Sequence, residues 1–168
     1  VARLRAAGFQ IVMLSGDSQA ETGKVGAELG IEDARGGLLP AQKAAAIASL
    51  RAQAPVAMIG DGLNDAPALA AADLGIAMGG GTDVAVQAAS MTLMRNDPRL
   101  VADAIEIARR TRTVIWQGLF LAFVYNVIAL PVAAAGRLTP AIAAGAMAAS
   151  SLCVVLNALR LRGWKPRL

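Results

Sequence analysis

The sequence predicts an α/β unit built on a parallel sheet, followed by a two-helix transmembrane hairpin. Three observations predict it. Over residues 1–94, apolar runs of strand length alternate with alanine-rich stretches of helical length. Two of those runs end in polar glycine loops, FQIVML-SGD and VAMI-GDGLND. Beyond residue 112 come 24 uncharged residues, Thr113–Gly136, and then 22 more, Leu138–Leu159.

The strands expected in order are Phe9–Leu14, Val56–Ile59, Leu74–Met78 and Met91–Met94. Helices are expected at Ala20–Leu29, Pro40–Gln53, Ala66–Ala72 and Thr82–Ala89, and another starts near Pro98 and runs on past Arg110. Alternation of this kind implies βαβ units, whose parallel sheets carry chemistry at the carboxyl ends of their strands. About 20 apolar residues cross the hydrocarbon core as a helix, so both uncharged runs are long enough. Arg109, Arg110 and Arg112 precede the first run, and Arg160, Arg162, Lys165 and Arg167 follow the second. That bias puts both ends in the cytoplasm and the short turn outside. A buried helical pair in a soluble protein is the alternative.

Composition narrows the function classes. The 168 residues are 56% hydrophobic with a mean hydropathy of +0.53, too apolar for a disordered chain. Residues 1–112 hold all 12 acidic and 11 of the basic residues, a net −1. The other five basic residues give residues 113–168 a charge of +5. The high pI therefore describes two unlike segments, and with 4% aromatics no basic, aromatic-interleaved stripe for nucleic acid exists. One cysteine rules out an internal disulfide framework and a multi-cysteine zinc module. The lack of histidine rules out Ser–His and Cys–His nucleophilic catalysis. The opening VARLRAAGFQIV has no signal-peptide layout, and it reads as a piece of a longer protein.

Gly60-Asp61-Gly62-Leu63-Asn64-Asp65-Ala66-Pro67 places two carboxylates and a carboxamide in one turn after a strand. A hard divalent cation such as Mg²⁺ relieves that charge with one or two carboxylates, waters and a phosphate. The other reading is an Asx-rich turn capping a helix with Pro67 at its first position. Ser15-Gly16-Asp17 offers a hydroxyl and backbone N–H groups as a phosphate cradle, or is an ordinary turn. Lys43 falls in the first turn of the helix opened by Pro40, where a cation opposes the helix dipole, so a facing anion is expected.

S-G-D, then P-x-x-K, then G-D-G-x-N-D-A-P-A-L, followed by two spans, resembles the phosphorylation domain and tail of a P-type ATPase. The resemblance implies a haloacid-dehalogenase-like, Rossmann-type parallel sheet, here partial. It implies Mg²⁺ on Asp61 with Asp65 beside it, and a phosphoryl group held by Ser15, Lys43 and Asn64, with Gly16 and Asp17 completing the cradle. Residues 1–97 would be part of the phosphorylation domain and 98–112 a connecting helix. The spans would be 113–136 and 138–160 around an external turn at 137–140, with a basic cytoplasmic tail at 161–168. The family's nucleophile is the aspartate of D-K-T-G-T. No such motif occurs here, since Asp17 is followed by Ser-Gln-Ala. The ATP-binding domain is also absent, so the chain alone is expected to be inactive and to need the remaining N-terminal part of the pump.

In the membrane segment, Tyr125-Asn126 precedes Pro131, which cannot donate to the Val127 carbonyl, so a kink is expected beside Asn126. In the second span Met147, Ser150 and Ser151 share a helix face, while Cys153 lies about 120° from Met147 and reads as a packing thiol. Y-N-x4-P with M-x2-S-S-x5-N is similar to the copper(I)-exporting branch, although Gly118 stands where that branch usually has an asparagine. The resemblance implies Cu⁺ as transported ion at Tyr125, Asn126, Met147, Ser150 and Ser151. It further implies a copper chaperone as partner, the lipid bilayer as surroundings and a bacterial plasma membrane as location, with no nucleic acid. Competing readings are a zinc/cadmium-type pump, a soluble phosphatase of the dehalogenase type and a non-catalytic membrane remnant.

Overall fold

After the short helix α1 (Ala2–Ala6), strand β1 (Val12–Leu14) leads into helix α2 (Gln19–Glu28). Ser18 caps α2. Its hydroxyl accepts from the Glu21 N–H and donates to the Glu21 carboxylate, so S-x-x-E closes locally. Strand β2 (Asp33–Arg35) pairs in parallel with β1, Val12 opposite Asp33 and Leu14 opposite Arg35. This strand has no apolar alternation to announce it. Its outer residues instead form an ion pair at 2.7 Å on one face, and the Arg35 guanidinium holds the Asp33 carboxyl below its usual range.

Helix α3 (Pro40–Arg51) starts where expected, with Pro40 in its first turn and the Leu39 N–H bonded to Gln42 Oε1 at 2.8 Å. Then come β3 (Ala57–Gly60), α4 (Ala66–Ala71), β4 (Leu74–Ala77), α5 (Asp83–Ala88) and β5 (Met91–Thr92). The three strands form a second parallel sheet in the order β3-β4-β5, with Ala57 opposite Leu74 and Ile76 opposite Met91. The described residues are 1–61, 63–80 and 82–165 of a computed structural model. They divide into two units, Val1–Ala102 and Asp103–Leu168.

The first unit's core is made of Ile47, Met58, Ala68, Leu69 and Ala85, with Leu14 of β1 and Val56 packed against it. Small residues let the helices close on the sheets. A Cβ on Gly75 of β4 would stand 2.6 Å from the Leu69 carbonyl oxygen, and one on Gly26 of α2 would stand 2.7 Å from Ala34 Cβ. Both glycines are therefore contact surfaces. The far end of α3 is fastened by Arg51, which donates to Asp73 Oδ1 at 2.8 Å and to the Ala71 carbonyl at 2.8 Å. Asp73 Oδ2 accepts from the Val56 N–H at 2.9 Å, which joins the entries to β3 and β4.

Helix α6 (Arg99–Ala134), which lies in the second unit from Asp103 on, runs through Pro131, and α7 (Pro140–Leu159) is capped by Thr139. Both helices are long and apolar enough to cross a membrane. Three contacts define their antiparallel seam. Asn157 Nδ2 donates to the Val114 carbonyl at 3.1 Å, Gly118 faces Val154, and the Tyr125 hydroxyl donates to the Ala143 carbonyl at 3.2 Å. A small residue and side-chain-to-backbone bonds are the usual means of joining helices in lipid.

The Val56 N–H, and after it Arg51, hold the Asp73 carboxyl below its ordinary value of 3.8. The clamp's contribution is therefore complete above that value and disappears as pH falls through the lower folded value. Asp73→Asn should speed amide exchange at Val56 at neutral pH, and the difference from wild type should vanish in strong acid. A difference that grows in acid would contradict the assignment.

Candidate functional site

The Ser15-Gly16-Asp17 loop leaves the carboxyl end of β1 and closes on itself. The Ser15 hydroxyl donates to Asp17 Oδ2 at 2.8 Å and accepts from the Asp17 N–H at 3.2 Å. Ser15 is half-buried, and Gly16 and Asp17 are exposed. A Cβ on Gly16 would meet only the Leu38 carbonyl oxygen, at an ordinary 3.6 Å, so close backbone approach is not what this glycine supplies.

The chain after β2 holds this loop. Ser15 N–H donates to the Arg35 carbonyl at 2.9 Å, Gly37 N–H to the Asp17 carbonyl at 2.5 Å, and Leu38 N–H to the Ser15 carbonyl at 3.0 Å. Gln19 adds two bonds, accepting from the Gly36 N–H at 2.6 Å and donating to the Ala34 carbonyl at 2.9 Å. Gly36 has no room for a side chain, because a Cβ would stand 2.6 Å from Thr22 Oγ1 and 2.8 Å from the Asp17 carbonyl oxygen. Gly37 turns the chain with φ +68, a left-handed value that favours glycine. Gln19, Thr22, Gly36 and Gly37 were not singled out from the sequence. Only the Gly-Gly pair carried a signal, since the Gln19 bonds join residues 15 and 17 positions apart in the chain.

That same segment opens α3 and so fixes Lys43. Lys43 Nζ lies 2.8 Å from Asp65 Oδ1, and the two side chains are only 12% and 15% exposed. The anion expected opposite Lys43 is therefore Asp65. Asp65 occupies the N-cap position of α4 without a side-chain capping bond, so its carboxylate serves the lysine and not the helix end. The helix begins at Ala66, which moves Pro67 to the second position. Gly60 makes room for this pair, because a Cβ there would stand 2.8 Å from Asp65 Cβ and 3.0 Å from its Oδ2.

Asp61 and Asn64 are exposed at the same strand end, Asn64 in a 3-10 turn over Leu63–Asp65. The Asp61 carbonyl accepts from the Thr82 N–H at 3.2 Å, which anchors the backbone that carries its carboxylate. Gly62 lies outside the described residues, as does the end of the basic tail at 166–168. Among the described residues no group of three or more Asp, Glu, Cys or His side chains converges. One or two carboxylates remain for a hard cation, which suits an ion that keeps waters and takes a phosphate oxygen.

Of the five membrane residues, the structure brings only Tyr125 into hydrogen-bond contact with the opposite helix. Asn126 is exposed and donates to the Ala122 carbonyl at 3.0 Å, one turn back. Met147 is 61% exposed, Ser151 is exposed and Ser150 is half-buried. The hairpin seam uses one face of α7, and Met147 and Ser151 lie beside it.

Residues 1–73 match the haloacid dehalogenase-like hydrolase family. The parallel sheets with polar turns at their carboxyl ends have the fold of that class, followed here by two long apolar helices. A copper-exporting P-type ATPase of Bacillus subtilis is 49% identical over 163 residues, 96% of this chain and 20% of the relative. A silver-exporting P-type ATPase of Salmonella typhimurium is 50% identical, over 95% of this chain and 20% of the relative. The crystal structure of a zinc-transporting PIB-type ATPase superposes with a TM-score of 0.88 at 41% identity, over 95% of this chain and 26% of that one. Over almost its whole length the chain is similar to the phosphorylation and membrane-hairpin region of heavy-metal-transporting P-type ATPases. It spans about a fifth of the length of the curated relatives it matches.

Removing one partner of a largely buried pair strands the other charge, whereas removing both does not. Lys43→Met should destabilise the first unit by about 3 kcal/mol in urea unfolding, and the double variant Lys43→Met/Asp65→Leu should recover most of the loss. Equal losses in the single and double variants would show that the pair does not bear on stability.

Proposed function

We propose that this chain supplies the phosphate- and Mg²⁺-binding half of an aspartyl-phosphate centre in an ATP-driven Cu⁺ export pump, together with part of the membrane path for the ion. The observation that carries the reading is the continuous tie from Ser15 through Leu38 to Lys43 and Asp65. It collects a hydroxyl, an ammonium and the carboxylates at the carboxyl ends of two parallel sheets. Phosphoryl transfer needs mainly such positioning and charge neutralisation.

Among the described residues β1 and β3 do not pair, and each is an edge of its own sheet. Leu14 of β1 nevertheless packs on the core that contains Met58 of β3. A further parallel strand between them would join the sheets and bring its own carboxyl end to the site. We assign that place to the strand bearing the nucleophilic aspartate, supplied by the preceding part of the pump. In this arrangement Ser15, Asn64 and Lys43 hold the phosphoryl oxygens, and Gly16 and Asp17 complete the cradle. The Ser15 hydroxyl is released from Asp17 as phosphate replaces the carboxylate, and Lys43 turns toward the phosphoryl group. Asp61 holds the Mg²⁺, with Asp65 beside it as the lysine's resting partner. When bound, the ion neutralises charge on the transferring group.

Cu⁺ is assigned as the substrate on chemistry. Met147 offers a soft thioether, Tyr125, Asn126, Ser150 and Ser151 offer polar neighbours, and no acidic residue follows Glu106. Met147 and Ser151 are exposed beside the hairpin seam, so remaining ligands would come from helices of the rest of the pump. The basic residues at both helix ends favour cytoplasmic termini in a bacterial plasma membrane, where a copper chaperone would deliver the ion. A zinc pump is the second reading, favoured by the structural likeness to a zinc-transporting relative.

Metal-stimulated phosphorylation of the complete pump tests this reading. Cu⁺ and not Zn²⁺ should raise the phosphoenzyme level, and Asp61→Asn should lower its rate of formation by at least about 100-fold. Stimulation by Zn²⁺ alone would refute the copper assignment.

A further inference from the structure

The face of α6 opposite its seam with α7 carries an open recess of about 580 Å³ lined by Arg109, Arg112, Thr113, Trp116, Gln117 and Phe120. Trp116 lies about 200° around the helix from Val114, which bonds to Asn157. Trp116 is 63% exposed and Phe120 is 67% exposed. Neither the phosphoryl site nor the ion path uses these residues.

Their order along the helix is informative. The two arginines come first, at the charged end. Thr113 and Gln117 sit beside Trp116, and Phe120 lies deepest, about 16 Å of helix beyond Arg109. This is the depth sequence of a phospholipid, from anionic headgroup through ester linkage to acyl chain. Guanidinium groups bind phosphate with paired, charge-assisted bonds, and a tryptophan settles at the level of the headgroup. Charge at this end of the helix points the same way, since Arg109, Arg110 and Arg112 fall within four residues and no acid follows Glu106. A free phosphate would satisfy the arginines and leave the aromatic end of the recess unused.

We propose that this recess binds an anionic phospholipid, with its phosphate at Arg109 and Arg112 and an acyl chain over Trp116 and Phe120. The site anchors the cytoplasmic end of the first span and fixes the depth of that helix end in the bilayer. It stands or falls independently of which ion is transported.

The test uses the whole chain reconstituted in phosphatidylcholine vesicles. The protein has two tryptophans, so Trp164→Phe leaves Trp116 as the reporter. Dibrominated phosphatidylglycerol and dibrominated phosphatidylcholine are compared as quenchers at equal mole fraction. The brominated anionic lipid should occupy the site about fivefold more than the zwitterionic one. Arg109→Gln/Arg112→Gln should abolish that preference, while Arg109→Lys/Arg112→Lys should keep most of it with unchanged helix content. Equal quenching by the two lipids, or a preference unchanged in the Gln variants, would overturn the proposal. Quenching by neither would mean that protein covers the face or that it lies outside the bilayer, which also overturns it. Relief of quenching by added inorganic phosphate would assign the recess to the free anion instead.

Discussion

The pairing of Lys43 with Asp65 sets the geometry of the first unit's polar end. Lys43 belongs to a helix whose start is hung on the loop after β1, and Asp65 belongs to the turn after β3. Two loops from two separate sheets are thereby held in one place without a strand between them. The pair is mostly out of water, so each charge depends on the other.

Small residues are the second requirement. Gly60 must lack a side chain for Asp65 to reach Lys43, Gly36 for the chain to pass Thr22 and Asp17, and Gly75 for α4 to sit on β4. The alanine-rich helices extend the same principle to the core, where Ala68 and Ala85 are fully buried. An added methyl at any of these glycines would strike backbone or a charged group, which a packed interior does not absorb cheaply.

Much of this was legible in the sequence because it is local. Apolar runs against a helical period place β1, β3, β4 and β5 and the helices between them, and Pro40 marks the start of α3. The two polar loops were legible because glycine and carboxylates crowd a strand end. What was hidden is what depends on long-range pairing. Asp33-Ala34-Arg35 has no strand signature and becomes β2 only through its partner β1. Gln19 looks like an ordinary first-turn residue, and its bonds to Ala34 and Gly36 exist only once α2 lies on β2. The separation into two sheets was equally invisible, since the pattern of runs does not state which strands touch. In the membrane segment, polar residues could be placed on a helix face but not assigned to the seam. Tyr125 meets the opposite helix, while Asn126 one position later bonds within its own.

The account holds that the chain completes a phosphoryl-transfer centre whose aspartate arrives on another segment. The most direct measurement mixes this chain with a separate polypeptide carrying the D-K-T-G-T strand and nucleotide domain of a relative, then adds labelled ATP with Mg²⁺. The account predicts a hydroxylamine-sensitive label on the added polypeptide, formed only when this chain is present and lost with Lys43→Ala. Label that forms equally well without this chain, or that appears on this chain itself, would contradict it.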